Sequence, residues 1–272
     1  MALPRFLYIL LNSPFKILPS YFDTINGILR TLLWDGGTPR IALRKLYRSW
    51  YEGGIALPDI QRYYWAAQLV TINQWCFLPQ AEPALRMDRL LMLNRGFPSM
   101  LYNRKNSTRL TGPTATTVAI WHSALKDLGW KDVITMATPL WDTQKLGVLY
   151  NQRGFAKWDL IGISSVEDMW QDTGIKSWED LREEYQLAST EIFRYLQIRH
   201  ALKSAIPRDV IPPDYSPLEA RLLSGYMENK AISLTYRKLI NNTPSNINNL
   251  QTKWDINLGE LNDDEWGEAL AS

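Results

Sequence analysis

The stretch GGIALPDIQRYYWAAQLVTINQW, residues 53–75, decides the fold. Gly53-Gly54 admits backbone geometry with positive φ, so a tight turn is expected there. Ile55-Ala56-Leu57 is a short apolar plug. Pro58-Asp59 then restarts the chain as a helix: proline suits a first turn, and an aspartate suits the N-terminal end. Beyond it, Tyr63, Tyr64, Trp65, Ala67, Leu69, Ile72 and Trp75 are apolar on more than one side of a 3.6-residue period. A helix apolar nearly all round is buried on several faces, so other elements must surround it. Ala66 and Ala67 let one of them come close. The expected fold is therefore mainly α, built around this helix.

Upstream, PSYFDTINGILRTLLWDGG reads as another helix, with Ser20 as N-cap and Asp23 near the positive end of its dipole. Tyr21, Phe22, Ile25, Ile28, Leu29, Leu32 and Leu33 follow i, i+3/i+4, i+7 spacing and predict one buried face. Gly36 and Gly37 stop it. Next comes TPRIALRKLYRSW, which carries Arg40, Arg44, Lys45 and Arg48. The spacing of 40, 44 and 48 lines one ridge if the piece is helical and one side if it is extended. Convergent arginines without interleaved acid match the planar, multivalent recognition that phosphate requires.

Downstream, Pro79 and Pro83 mark a boundary near Gln80. Residues 94–117 read as a polar loop carrying Arg95, Arg104, Lys105 and Arg109, either solvated or touching phosphate. From 118 onward short helices joined by tight turns are expected. Val118–Leu128 is closed by Gly129. Three helices span 166–202, with Ser165/Asp168 and Ser177/Asp180 as capping pairs and Ser189 or Thr190 opening the third. Ile192, Phe193, Leu196 and Ile206 are its expected core face. Ser216-Pro217-Leu218-Glu219 is a capping box with proline at the first helical position. A final piece runs through Ile232, Tyr236, Leu239 and Ile240. No run of clear period-2 strands stands out.

Charge is unevenly spread. Residues 1–110 hold 14 Lys/Arg against 6 Asp/Glu, and residues 111–272 hold 16 against 22, although the whole chain is only +2. A basic half suggests a polyanionic partner, and solvated helix faces are the plainer alternative. Motifs for catalysis are missing from the sequence: no phosphate loop, HExxH, CxxC or GxSxG. With one cysteine, Cys76, and two histidines, His122 and His200, a thiolate zinc site is excluded and no nucleophile–base pair is evident. Asp263-Asp264 imitates a polymerase metal pair but lacks the preceding aromatic residue and a strand setting. No catalytic residue, metal ligand, cofactor or small-molecule substrate is expected. The N-terminal run Phe6–Leu11 is short and bracketed by Pro4 and Pro14, which argues against a signal peptide, and no apolar stretch reaches the ~18–20 residues that span a bilayer. An intracellular, cytoplasmic or nuclear protein with no membrane partner is the expectation.

Residues 3–69 carry a resemblance. Leu3-Pro4, Phe6–Tyr8, the helix ending at Trp34 with Gly36, Pro39-Arg40-Ile41, Gly53-Gly54, Leu57-Pro58-Asp59 and Tyr63-Tyr64-Trp65-Ala66 occur in an order and spacing that resemble the second open reading frame polyprotein of LINE-type (non-LTR) retrotransposons, in the region just after the reverse transcriptase core. A weaker likeness continues through FRYLQIRHAL (193–202) to Trp254 and Trp266. The resemblance implies a non-catalytic fragment: residues 1–80 a thumb-like helical subdomain, 81–117 a basic linker, and 118–272 a second helical region. It implies that RNA or an RNA–DNA hybrid is gripped through backbone phosphates and that the missing polymerase core of the parent polyprotein is a partner. Arg40, Arg44, Lys45 and Arg48, with Arg104, Lys105 and Arg109, are the candidate nucleic-acid-binding residues. A helical protein-interaction or structural domain without nucleic-acid binding is the alternative.

Overall fold

The computed structural model describes residues 8–9, 16–50, 53–78, 101–102, 110, 112–131, 133–148, 155–171, 174–207, 210–227 and 229–241. Among them the protein is mainly helical: α1 (Pro19–Leu33), α2 (Leu43–Leu46), α3 (Ile60–Phe77), α4 (Gly112–Asp127), α5 (Phe155–Leu160), α6 (Trp178–Tyr185), α7 (Ile192–Ala205), α8 (Pro217–Leu223) and α9 (Ala231–Asn241). The two short strands β1 (Trp170–Gln171) and β2 (Gly174–Ile175) pair antiparallel.

The aromatic helix α3 is the hub. Asp59 is its N-cap and accepts the Arg62 N–H at 3.0 Å, so Pro58 lies just outside the first turn rather than in it. Tyr64, Ala66, Leu69, Ile72 and Trp75 are buried, and α3 packs against α4, α8 and α9. This is the multi-sided burial that its sequence demands. Phe22 of α1 packs on Tyr64 with ring centroids 5.7 Å apart, and Tyr236 of α9 stacks on Tyr63 at 3.7 Å. Buried Asn73 turns its amide toward the chain after α8, donating to the carbonyls of Leu222 and Gly225 and accepting the Met227 N–H. The core around α3 therefore draws on residues from Phe22 to Leu239. Helices α8 and α9 close this core from the far end of the chain, and the boundary expected near residue 80 lies outside the described residues.

A second core runs from Leu140 to Ile206 and is filled by Phe155, Trp158, Ile163, Met169, Leu181, Ile198 and Leu202. The two are joined at one buried carboxylate. Glu219, 2% exposed, closes the expected capping box on Ser216 at the start of α8. Its Oε2 accepts the Ser216 N–H at 2.7 Å, while Oε1 accepts the hydroxyls of Tyr102 at 2.6 Å and Thr135 at 3.0 Å. Three donors satisfy a charge that burial would otherwise penalise. Met136 N–H to the Pro213 carbonyl (3.0 Å) and the Tyr215 hydroxyl to Glu167 (2.7 Å) tie the same seam.

Several local expectations are corrected. Helix α1 starts at Pro19, with Leu18 rather than Ser20 as N-cap, since proline at the first position needs no N–H partner. Helix α4 starts at Gly112, inside the stretch read as loop. Its Thr114, Thr116 and Thr117 are buried, and the Thr117 hydroxyl meets Gln68 of α3. Its far end follows expectation: Gly129 has φ +78°, and the Trp130 and Gly129 N–H groups return to the Leu125 and Lys126 carbonyls as a Schellman closure. The first of the three helices expected over 166–202 is instead a single 3₁₀ turn (Glu167–Met169) leading into β1. At that turn Asp168 Oδ2 accepts the N–H groups of Ser164 (2.8 Å) and Ser165 (2.7 Å). In α7 the buried face is Tyr195, Ile198 and Leu202, while Phe193 is 74% exposed. That face packs into the second core, and the Tyr195 hydroxyl donates to the Lys176 carbonyl at 2.9 Å.

Candidate nucleic-acid interface

The basic segment is organised by the short helix α2. Leu43 and Leu46 turn inward and are buried, which leaves Arg44 and Lys45 on the outer side, exposed. The Tyr47 hydroxyl donates to Asn26 Oδ1 at 2.9 Å and fastens α2 to α1. Burial, helped by the charge of Asp59, pushes that phenol up to about 12, so it stays a neutral donor.

The chain then folds back on itself. The N–H groups of Ile55 and Leu57 both reach the Leu46 carbonyl, at 3.3 and 3.0 Å, and those of Gly54 and Ala56 reach the carbonyls of Ser49 and Arg48, at 2.9 and 2.7 Å. Backbone acceptors left over when α2 ends are thereby satisfied by the loop itself. Gly53 supplies the expected left-handed turn, φ +73°. Gly54 is required for a different reason: its Cα lies against the Arg48 carbonyl, where no side chain fits. The Gly-Gly turn thus folds the chain back on α2 ahead of the aromatic helix, but the expected apolar plug does not form: Ile55 and Ala56 are exposed and Leu57 is half-buried.

Of the expected site residues, Arg40, Arg44 and Lys45 are exposed, and Arg48 is half-buried in the turn after α2. The regular ridge read from the spacing of 40, 44 and 48 is absent. Only Leu43–Leu46 is helical, so Arg40 precedes the helix in irregular chain and Arg48 follows it. Proline at 39 and the closure at Gly54 cut the periodicity on both sides. Arg104, Lys105 and Arg109 lie outside the described residues. Sequence reasoning passed over Arg30, an exposed residue in the last turn of α1 whose charge bears on Tyr47. Its signal was its position opposite the α1 core face, near the start of the basic segment. Across residues 16–50 six Lys/Arg face two Asp/Glu. Arg62 is a contrast: it is taken up by Asp59 at 3.0 Å and Asp127 at 2.6 Å. Burial alone would lower its pKa, and the two carboxylates overcome that and raise it.

Chemistry beyond charge is sparse. Among the described residues no group of three or more His, Cys, Asp or Glu side chains is arranged to hold a metal ion. Burial pushes the Cys76 thiol up to about 12, which suppresses the nucleophilic thiolate. His200 is exposed on α7, and His122 lines a cleft between the two cores. Among the described residues no helix is long and apolar enough to cross a membrane. No protein-family model matches the chain.

Proposed function

We propose that this chain is a non-catalytic fragment of a LINE-type retrotransposon polyprotein, one that grips template–primer nucleic acid through sugar–phosphate contacts. The observation carrying the proposal is the braced basic turn: Leu43 and Leu46 anchored inward, Arg44 and Lys45 held outward, and the loop 53–57 hydrogen-bonded across the end of the helix. A rigid cationic surface binds phosphates without reading bases, so affinity is sequence-independent and falls with salt. The catalytic machinery belongs to the polymerase core that the resemblance implies upstream.

Fluorescence anisotropy with an RNA–DNA hybrid at two salt concentrations tests this. Salt-sensitive binding is expected. An Arg40→Ala/Arg44→Ala/Arg48→Ala variant is expected to bind more weakly and to lose about one unit of the log–log salt slope per phosphate contact removed. Absence of binding by the folded protein at low salt overturns the reading.

A second reading, a helical protein-interaction domain, is favoured by α1. Phe22 is the buried residue of that helix, while Tyr21, Ile28 and Leu32 are 45%, 62% and 76% exposed. The face predicted to be buried is therefore largely open. Under the first reading the polymerase core covers it; under the second, another protein does. Pull-down of the hybrid, compared between wild type and Ile28→Glu/Leu32→Glu, separates the two, because the second reading leaves nucleic acid without a role.

A further inference from the structure

Trp50 ends the basic segment, and the fold leaves its side chain uncovered: it is 65% exposed. Trp75, Trp121, Trp141 and Trp158 are buried, and among the described residues every other tryptophan is buried or half-buried. An indole carries one of the largest apolar areas a side chain can bury. A tryptophan held open to solvent therefore forgoes stabilisation that a core position would provide.

The backbone that carries this ring is fixed. The Trp50 carbonyl accepts the Gly53 N–H at 3.1 Å, the Ser49 carbonyl accepts the Gly54 N–H at 2.9 Å, and the Arg48 carbonyl accepts the Ala56 N–H at 2.7 Å. Three consecutive carbonyls are thus tied to the returning strand of the turn, and Gly54 lies close against the first of them. A flat aromatic group presented from a fixed backbone loses little conformational freedom when a partner settles on it.

The surroundings indicate the chemistry of that partner. Residues 36–51 contain Arg40, Arg44, Lys45 and Arg48 and no Asp or Glu. Arg40 and Lys45 are exposed. Cations that follow a phosphate backbone, together with an open aromatic ring on which a base can lie, are the two components of single-strand recognition. Inside a duplex each base is covered on both faces by its neighbours. Only an unpaired or terminal base can offer a face to the ring.

We infer that Trp50 stacks on an unpaired nucleotide beside the duplex while Arg40 and Lys45 hold the adjoining phosphates, so that the basic turn selects a hybrid with a single-stranded overhang. The inference rests on the reading that this turn grips nucleic acid. It adds a preference that phosphate contacts alone do not create, because those contacts are indifferent to whether a base is present.

Fluorescence anisotropy with the full chain tests it, using an RNA–DNA hybrid that bears a short single-stranded overhang and the same hybrid with an abasic overhang. The two carry equal phosphate charge and differ only in the bases. Wild type is expected to bind the first about tenfold more tightly, the scale of one base–aromatic stack. Trp50→Ala, a change at an exposed side chain, is expected to bind both at the abasic level with an unchanged salt slope. Trp50→Phe is expected to recover part of the difference. Arg40→Ala/Lys45→Ala is expected to lower the salt slope and keep the discrimination. Equal wild-type binding to the two hybrids, or discrimination that survives Trp50→Ala, overturns the role of Trp50 and leaves the phosphate grip standing. Absence of binding to either hybrid at low salt overturns the grip, and this inference with it.

Discussion

Gly54 lies directly against the Arg48 carbonyl: a Cβ built on Gly54 would stand 2.1 Å from that oxygen and 2.8 Å from the Lys45 carbonyl. Its neighbour Gly53 has open space around the same position and is constrained only by its φ of +73°. Two adjacent glycines thus serve different physical ends. Gly53→Ala is expected to cost about 1 kcal/mol, the ordinary penalty of a left-handed alanine. Gly54→Ala must displace backbone, and about 3 kcal/mol or more is expected, with loss of hybrid binding as the α2 turn shifts. Urea unfolding midpoints of the two variants check this; equal destabilisation would refute the steric account.

Asn73 is the internal fastener between α3 and the chain after α8. It is 1% exposed, and its amide serves the Leu222 and Gly225 carbonyls and the Met227 N–H. Asn73→Leu keeps the volume and abandons three backbone groups, so about 3 kcal/mol of destabilisation is expected. Asn73→Asp sets a carboxylate against two carbonyl oxygens and is expected to be at least as damaging. Denaturant unfolding measures both, and a loss under about 1 kcal/mol for Asn73→Leu would mean that water replaces the amide.

These two residues also mark how far the linear sequence reaches. Signals confined to one turn were legible: Asp59 at the start of α3, Gly129 closing α4, and the Ser216–Glu219 box. Each is a short-range hydrogen-bonding rule with few competitors. The all-round burial of α3 was legible too, because no other placement hides so many rings. What the sequence left open was decided by distant partners. Thr114, Thr116 and Thr117 looked like loop because their burial depends on α3. The α1 stripe had the right period, yet its neighbours cover only the Phe22 side. The cleft was invisible, since Thr143, Lys131, Lys145 and Glu219 share no local pattern and meet only when the two cores dock.

The stacked pair Tyr63–Tyr236 separates packing from hydrogen bonding. The Tyr236 hydroxyl accepts the Asp59 N–H at 3.0 Å, and its ring lies 3.7 Å from that of Tyr63 with an interplanar angle of 15°. Tyr236→Phe keeps the stack and orphans the N–H, so about 1 kcal/mol of destabilisation is expected. Tyr236→Ala loses both, and about 3 kcal/mol or more is expected. Thermal unfolding of the two variants checks the split. Equal effects would assign the whole contribution to the hydroxyl.

Glu191 sets an acid limb on stability. The hydrogen bond from Arg194 holds its carboxyl below the usual carboxylate range; burial opposes this, and the Trp158 indole N–H, 3.0 Å from Oε2, adds to it. The folded value therefore lies below the unfolded one, near ~4.3. The unfolded chain binds the proton first as pH falls, so the stabilisation is complete above the unfolded value and is lost as pH drops through the folded one. Glu191→Gln removes this dependence. The variant is expected to melt below wild type at pH 7, with the gap narrowing steadily from about pH 5 downward. Melting temperatures measured from pH 7 to pH 3 test it, and curves that run parallel across that range would show that Glu191 contributes no proton linkage to folding.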